Sequence, residues 1–79
     1  MTVSTCYAWA DALGIWHARV ETVGVGSDRT AAAMARAEVL TALAEREGPN
    51  FAPSSVRLEL TQRTGEHGTL THYYREVTA

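Results

Sequence analysis

Residues 27–49 read SDRTAAAMARAEVLTALAEREGP, and this stretch decides the fold. From Asp28 to Glu47 it contains neither glycine nor proline, and seven alanines fall between Ala31 and Ala44. Ser27 is a good N-cap, and Asp28 puts a negative charge where the helix dipole favours one. Gly48 followed by Pro49 is a stop signal. The stretch therefore predicts one helix about 30 Å long. Its expected apolar stripe is Ala32, Ala35, Val39, Leu40 and Leu43, with Ala33 at the margin. Side chains this small let a helix approach a sheet closely.

Upstream, Val3 to Ala10 supply Val, Thr, Tyr and Trp, which suit a pleated surface. Asp11-Ala12-Leu13-Gly14 reads as a turn, and Ile15 to Val23 as a second strand. A four-residue loop pairs Ala10 with Ile15, Trp9 with Trp16, Tyr7 with Ala18 and Thr5 with Val20. One face then holds Val3, Tyr7, Trp9, Trp16, Ala18 and Val20. The other holds Ser4, Cys6, Ala8, His17, Arg19 and Glu21, and a one-residue slip would undo the sorting.

Downstream, Asn50 to Ser55 is a connection, with Phe51 expected against the helix end. Val56, Leu58 and Leu60 alternate with Arg57, Glu59 and Thr61. Gly65-Glu66-His67-Gly68 is a hairpin turn leading into a last strand, Thr69 to Val77. A four-residue loop here pairs Leu60 with Tyr73, Leu58 with Arg75 and Arg57 with Glu76. A slip by one would instead bring Leu70 and Tyr74 to the apolar side.

The expected architecture is a single α+β domain over residues 1–79, in the order ββαββ. One alanine-rich helix packs on one face of a four-stranded, mainly antiparallel sheet. The second face is left bare, carrying Cys6, His17, Arg19, Arg57, Glu59, Arg63, His72 and Tyr74.

Composition narrows the function. With 79 residues the chain buries only about 60–65% of its unfolded surface, so a partner or a second copy adds usefully to its stability. The formal net charge of −2 lacks the basic excess typical of a duplex binder. All seven basic residues are arginine, which excludes Schiff-base and lysine-base chemistry. The abundance of Ala, Arg, Val and Gly suggests a GC-rich genome, actinobacterial or phage. Cys6 is the one cysteine, so no intrachain disulfide forms. The opening MTVSTCYAWA has no positive region and no long apolar run, so neither a signal peptide nor a membrane span is expected and a cytoplasmic location follows by default.

The chemistry-bearing residues form no established constellation. Cys6, His17, His67 and His72 show no C-x-x-C or H-x-x-x-H spacing, and Cys6 reads as a small hydrophobe. Ser27, Ser54 and Ser55 lack a base and a G-x-S-x-G elbow; a cap and turns account for them. Glu21 and Glu59 read as a solvated pair. No catalytic residue, metal or cofactor is assigned. Gly24, Gly26 and Ser27, opening the helix, form a weak candidate anion site because free N–H groups point outward there.

Strand residues, the turn Gly24-Val25-Gly26-Ser27-Asp28-Arg29 and an alanine-rich helix, together Trp16 to Leu43, locally resemble double-stranded-RNA-binding domains, in which two strands lead through such a turn into a helix. That likeness covers about a third of the chain. In that family lysines of the turn hold phosphates, whereas here Asp28 stands at a lysine position and no helix precedes the strands. The ββα start is also similar in outline to small antitoxin domains of the HicB kind.

The expected function is a small non-enzymatic interaction module acting through its open sheet face or as a homodimer, its partner a protein or itself. The alternative is a small nucleic-acid-binding regulator using His17, Arg19, Arg57, Arg63, His72 and Tyr74 on that face. A third reading is a ligand-binding protein or enzyme with a pocket near Trp9, Trp16 and Phe51.

Overall fold

The computed structural model describes residues 3–24, 26–48, 52–53 and 56–77. The elements are β1 (Val3–Ala10), β2 (Trp16–Val23), α1 (Asp28–Glu47), β3 (Leu58–Glu66) and β4 (Thr69–Glu76). The strands form one antiparallel sheet in the order β1-β2-β4-β3, with α1 packed on one face. This is the expected ββαββ, α+β architecture.

Asp11 sets the register of the first hairpin. Its Oδ1 accepts the N–H groups of Leu13 at 2.9 Å and Ile15 at 3.0 Å. The Asp11 N–H donates to the Ile15 C=O at 2.9 Å, and Gly14 takes φ 81° to close the turn. This side-chain turn holds Ile15 inside the loop. Ala10 therefore pairs with Trp16, Trp9 with His17, Tyr7 with Arg19 and Thr5 with Glu21. The expected register was one residue off, and the correction turns β1 over. Val3, Tyr7 and Trp9 face away from the helix, while Cys6 and Ala8 pack against the core beneath it.

The second hairpin shifts likewise. His67 and Gly68, at φ 51° and 80°, make a two-residue turn in place of the four expected. Such turns match the twist of the flanking strands. Leu58 pairs with Glu76, Glu59 with Arg75 and Leu60 with Tyr74, followed by a bulge between Leu60 and Gln62. His72 and Tyr74 thereby turn to the helix side and are buried.

Helix α1 begins as expected: the Ser27 Oγ accepts the Thr30 N–H at 3.1 Å. It ends on Gly48, at φ 73°, whose N–H returns to the Ala44 C=O. Its buried row is Ala31, Ala35, Val39 and Leu43, one residue every turn. Ala32 and Ala33 of the expected stripe are exposed, and Leu40 packs at the margin. The row meets Ala18 and Val20 of β2, with Val56 and Tyr74 completing the core. Full burial of an aliphatic side chain such as Val20 or Val39 contributes about 1.5–3 kcal/mol. The helix lies chiefly over β1 and β2. Phe51, Pro49, Val25, Ser54 and Ser55 lie outside the described residues.

Candidate binding surface

The alternation of the strands builds the open face in rows. In one row Trp9, His17, Arg75 and Glu59 stand side by side across the four strands. In the next stand Tyr7, Arg19, Tyr73 and Gln62. Tyr7 is 55% exposed and Trp9 45%, and Val3 and Val23 extend the apolar surface at one end. Trp9 stacks on His17, ring centroids 5.5 Å apart and planes 13° from parallel.

Three basic residues of this face, His17, Arg19 and Arg75, each meet a carboxylate of the same chain. The His17 Nε2 lies 2.8 Å from the Asp11 Oδ2, the Arg75 Nη2 donates to the Glu59 Oε1 at 2.7 Å, and the Arg19 Nη2 donates to Glu21. Hydrogen bonds from His17 and from the Ile15 N–H hold the Asp11 carboxyl below the usual carboxylate value. The face thus combines exposed aromatic rings with cations that already have counter-charges.

Of the residues expected on this face, only some are there. His17 and Arg19 belong to it. Arg57 sits exposed just ahead of β3, its C=O accepting the Val77 N–H at 2.8 Å. Arg63, past the bulge, instead reaches Asp28 at the start of α1, its Nη1 lying 3.0 and 2.9 Å from the two carboxylate oxygens. His72 and Tyr74 are buried beneath the helix, their rings 6.2 Å apart and nearly parallel. Tyr7, Trp9, Tyr73 and Arg75 take their places. The signal for Tyr7 and Trp9 was Asp11, whose carboxylate can consume one more residue in the first turn, whereas Tyr73 and Arg75 follow from the shorter second turn.

The candidate anion site, Gly24, Gly26 and Ser27, lies at the start of α1. The Ser27 hydroxyl is committed to Thr30, and the Asp28 carboxylate brings the negative charge itself. The fully buried His72 meets Asp28 through Nε2 at 2.8 Å. Hydrogen bonds from His72 and then Arg63 hold the Asp28 carboxyl below its usual value. Gly24, at φ 103°, donates to the Gly68 C=O. Gly26 lets the chain pass Thr22, since a Cβ there would lie 2.7 Å from the Thr22 Cγ2.

Chemistry elsewhere is sparse. The Cys6 thiol contacts the Met34 C=O at 3.7 Å, and burial, then Glu38, pushes its pKa up, away from the reactive thiolate. Among the described residues no three His, Cys, Asp or Glu side chains group as metal ligands. Of the three residues of the expected pocket, Trp16 packs against the core, Trp9 faces the open side of the sheet, and Phe51 lies outside the described residues. An open cleft lies at Ile15, Glu59, Arg75, Glu76 and Val77 instead. Among the described residues no helix is long and apolar enough to cross a membrane.

A comparison with family models, curated proteins and solved structures finds no match. In the turn that opens α1, Asp28 faces Arg63 and His72.

Proposed function

We propose that this chain is a non-enzymatic interaction module that docks a protein partner on the open face of its sheet. One observation carries the reading: the aromatic rings of Tyr7 and Trp9 are exposed, while His17, Arg19 and Arg75 are each matched by a carboxylate of the same chain. Phosphate recognition needs cations free to displace counterions. A surface of exposed aromatics and of arginines that already meet carboxylates fits the core of a protein interface. Nucleic acid is the second reading, favoured by the row in which Arg19 stands between Tyr7 and Tyr73, a pattern able to stack bases.

Site-specific photo-crosslinking in the native host tests the proposal. A photoreactive phenylalanine analogue replaces Tyr7 or Tyr73 on the face, or Ala37 on the exposed side of α1 as control. Adducts to a protein other than this chain at the two face positions, and none at Ala37, are expected. Equal adducts at all three positions, or none, overturn it. Retardation of a single-stranded oligonucleotide at low salt, lost in Arg19→Ala, would move the assignment to nucleic acid.

A further inference from the structure

The two edges of the sheet differ. The outer strand β3 carries Glu59, Arg63 and Glu66 together with a bulge, devices that discourage pairing with another chain. The other outer strand, β1, reads VSTCYAWA: no charge, no proline, and a ladder to β2 without interruption. Among the described residues no strand pairs with its outer side.

The direction of its free groups follows from the ladder. The Asp11 N–H bonds to the Ile15 C=O, and hydrogen-bonded pairs alternate along an antiparallel pair. Trp9, Tyr7, Thr5 and Val3 therefore bond to β2. Ser4, Cys6, Ala8 and Ala10 aim their N–H and C=O groups outward. The Gly24 N–H bond to the Gly68 C=O on the opposite side of β2 agrees with this phase.

We infer that β1 pairs with β1 of a second copy, antiparallel about a twofold axis at Tyr7. In this register Ser4 meets Ala10 of the second copy and Cys6 meets its Ala8, so all four outward residues find partners. Pairing on Cys6 instead would strand Ala10. An uncharged edge meets itself without like-charge repulsion, and such self-complementarity is what a twofold interface requires. The helices accommodate it. Because α1 lies over β1 and β2, pairing brings the two helix axes to roughly 10 Å, the ordinary separation of packed helices. The flank of α1 with Met34, whose C=O receives the Cys6 thiol, and Glu38, whose charge acts on that thiol, faces the join, so the repulsion-free meeting is that of the strand edges alone. This inference is independent of what the open face binds.

Cysteine cross-linking reads the register. Tyr7→Cys places two thiols across a non-hydrogen-bonded pair with Cα atoms about 4.5 Å apart, within disulfide reach. Mild oxidation should convert it to a covalent dimer. The unaltered chain, whose Cys6 faces alanine, and Thr5→Cys alone should stay uncross-linked. A mixture of Thr5→Cys and Trp9→Cys should cross-link. By sedimentation velocity the unaltered chain should run as a dimer. Ala8→Pro, which removes an outward N–H and no bond to β2, should run as a monomer; so should Tyr7→Lys, which sets two charges face to face should the proline variant fail to fold. A monomeric unaltered chain at several hundred micromolar, a dimer surviving in folded Tyr7→Lys, or equal cross-linking at Thr5→Cys and Tyr7→Cys overturns the inference. Face adducts that persist in a monomer would leave the docking proposal standing.

Discussion

Asp28 joins three elements of the fold. It begins the helix, meets Arg63 from β3 and accepts from the buried His72 of β4. Its carboxyl and that of Asp11 both ionise below the ordinary 3.8 because their partners favour the charged form. The folded state therefore binds these protons less readily than the unfolded chain. The resulting stabilisation is complete above that ordinary value and is lost as pH falls through the lower, folded values. Urea midpoints should hold steady from pH 7 to 5 and drop below about pH 4. The drop should be shallower in the Asp11→Asn, Asp28→Asn double variant, and an equal drop in both proteins would refute these partners as its cause.

Tyr74 tests a different expense. Its hydroxyl is buried and has no hydrogen-bond partner among the described residues. Burial is also the largest cause of its raised pKa, followed by the Asp28 and Cys6 charges. A buried hydroxyl without a partner costs about 1–3 kcal/mol, so Tyr74→Phe should leave stability unchanged or raise it by about 1 kcal/mol in chemical denaturation. A loss of that size would mean the hydroxyl is bonded.

At the scale of the elements, turn chemistry decides which side chains face where. The His67-Gly68 turn holds both residues at positive φ. Gly68→Ala should cost about 1–2 kcal/mol, and His67→Asn, better suited to that conformation, should return a few tenths in thermal melts. The opposite order of the two variants would show that the turn adopts another form. The order of elements, the helix limits and both of its caps were legible in the sequence, because they rest on local signals: Ser27, Gly48 and an interval free of glycine and proline. The faces were not. One residue more in the first loop, held by the Asp11 carboxylate, exchanges Trp9 and Tyr7 for Cys6 and Ala8. A shorter second turn and a bulge do the same to His72 and Tyr74. Hydrophobicity could not choose, because β1 is apolar on both sides and aromatic rings suit either a core or an interface. His17 and Arg19 were read correctly because β2 alternates unambiguously between Ala18, Val20 and their polar neighbours.

For the whole molecule, the uneven seat of the helix matters most. It rests on β1 and β2, while the β3–β4 arm touches it more lightly. Arg63 and His72 meet it at Asp28, and Arg36 reaches the Pro53 C=O at 3.0 Å ahead of β3. The protein thus has a better-anchored half and an arm that shares the core through Tyr74 and meets the helix by polar contacts chiefly at Asp28. Amides of β3 should exchange with deuterium sooner than those of β2, and Asp28→Asn should hasten uptake along β3 and β4 while leaving β1 nearly unaffected. Uniform acceleration throughout the chain would show that the two halves open together. If they open apart, one carboxylate acts as a latch, and loosening it would frame a gap between hairpin and helix without melting the rest.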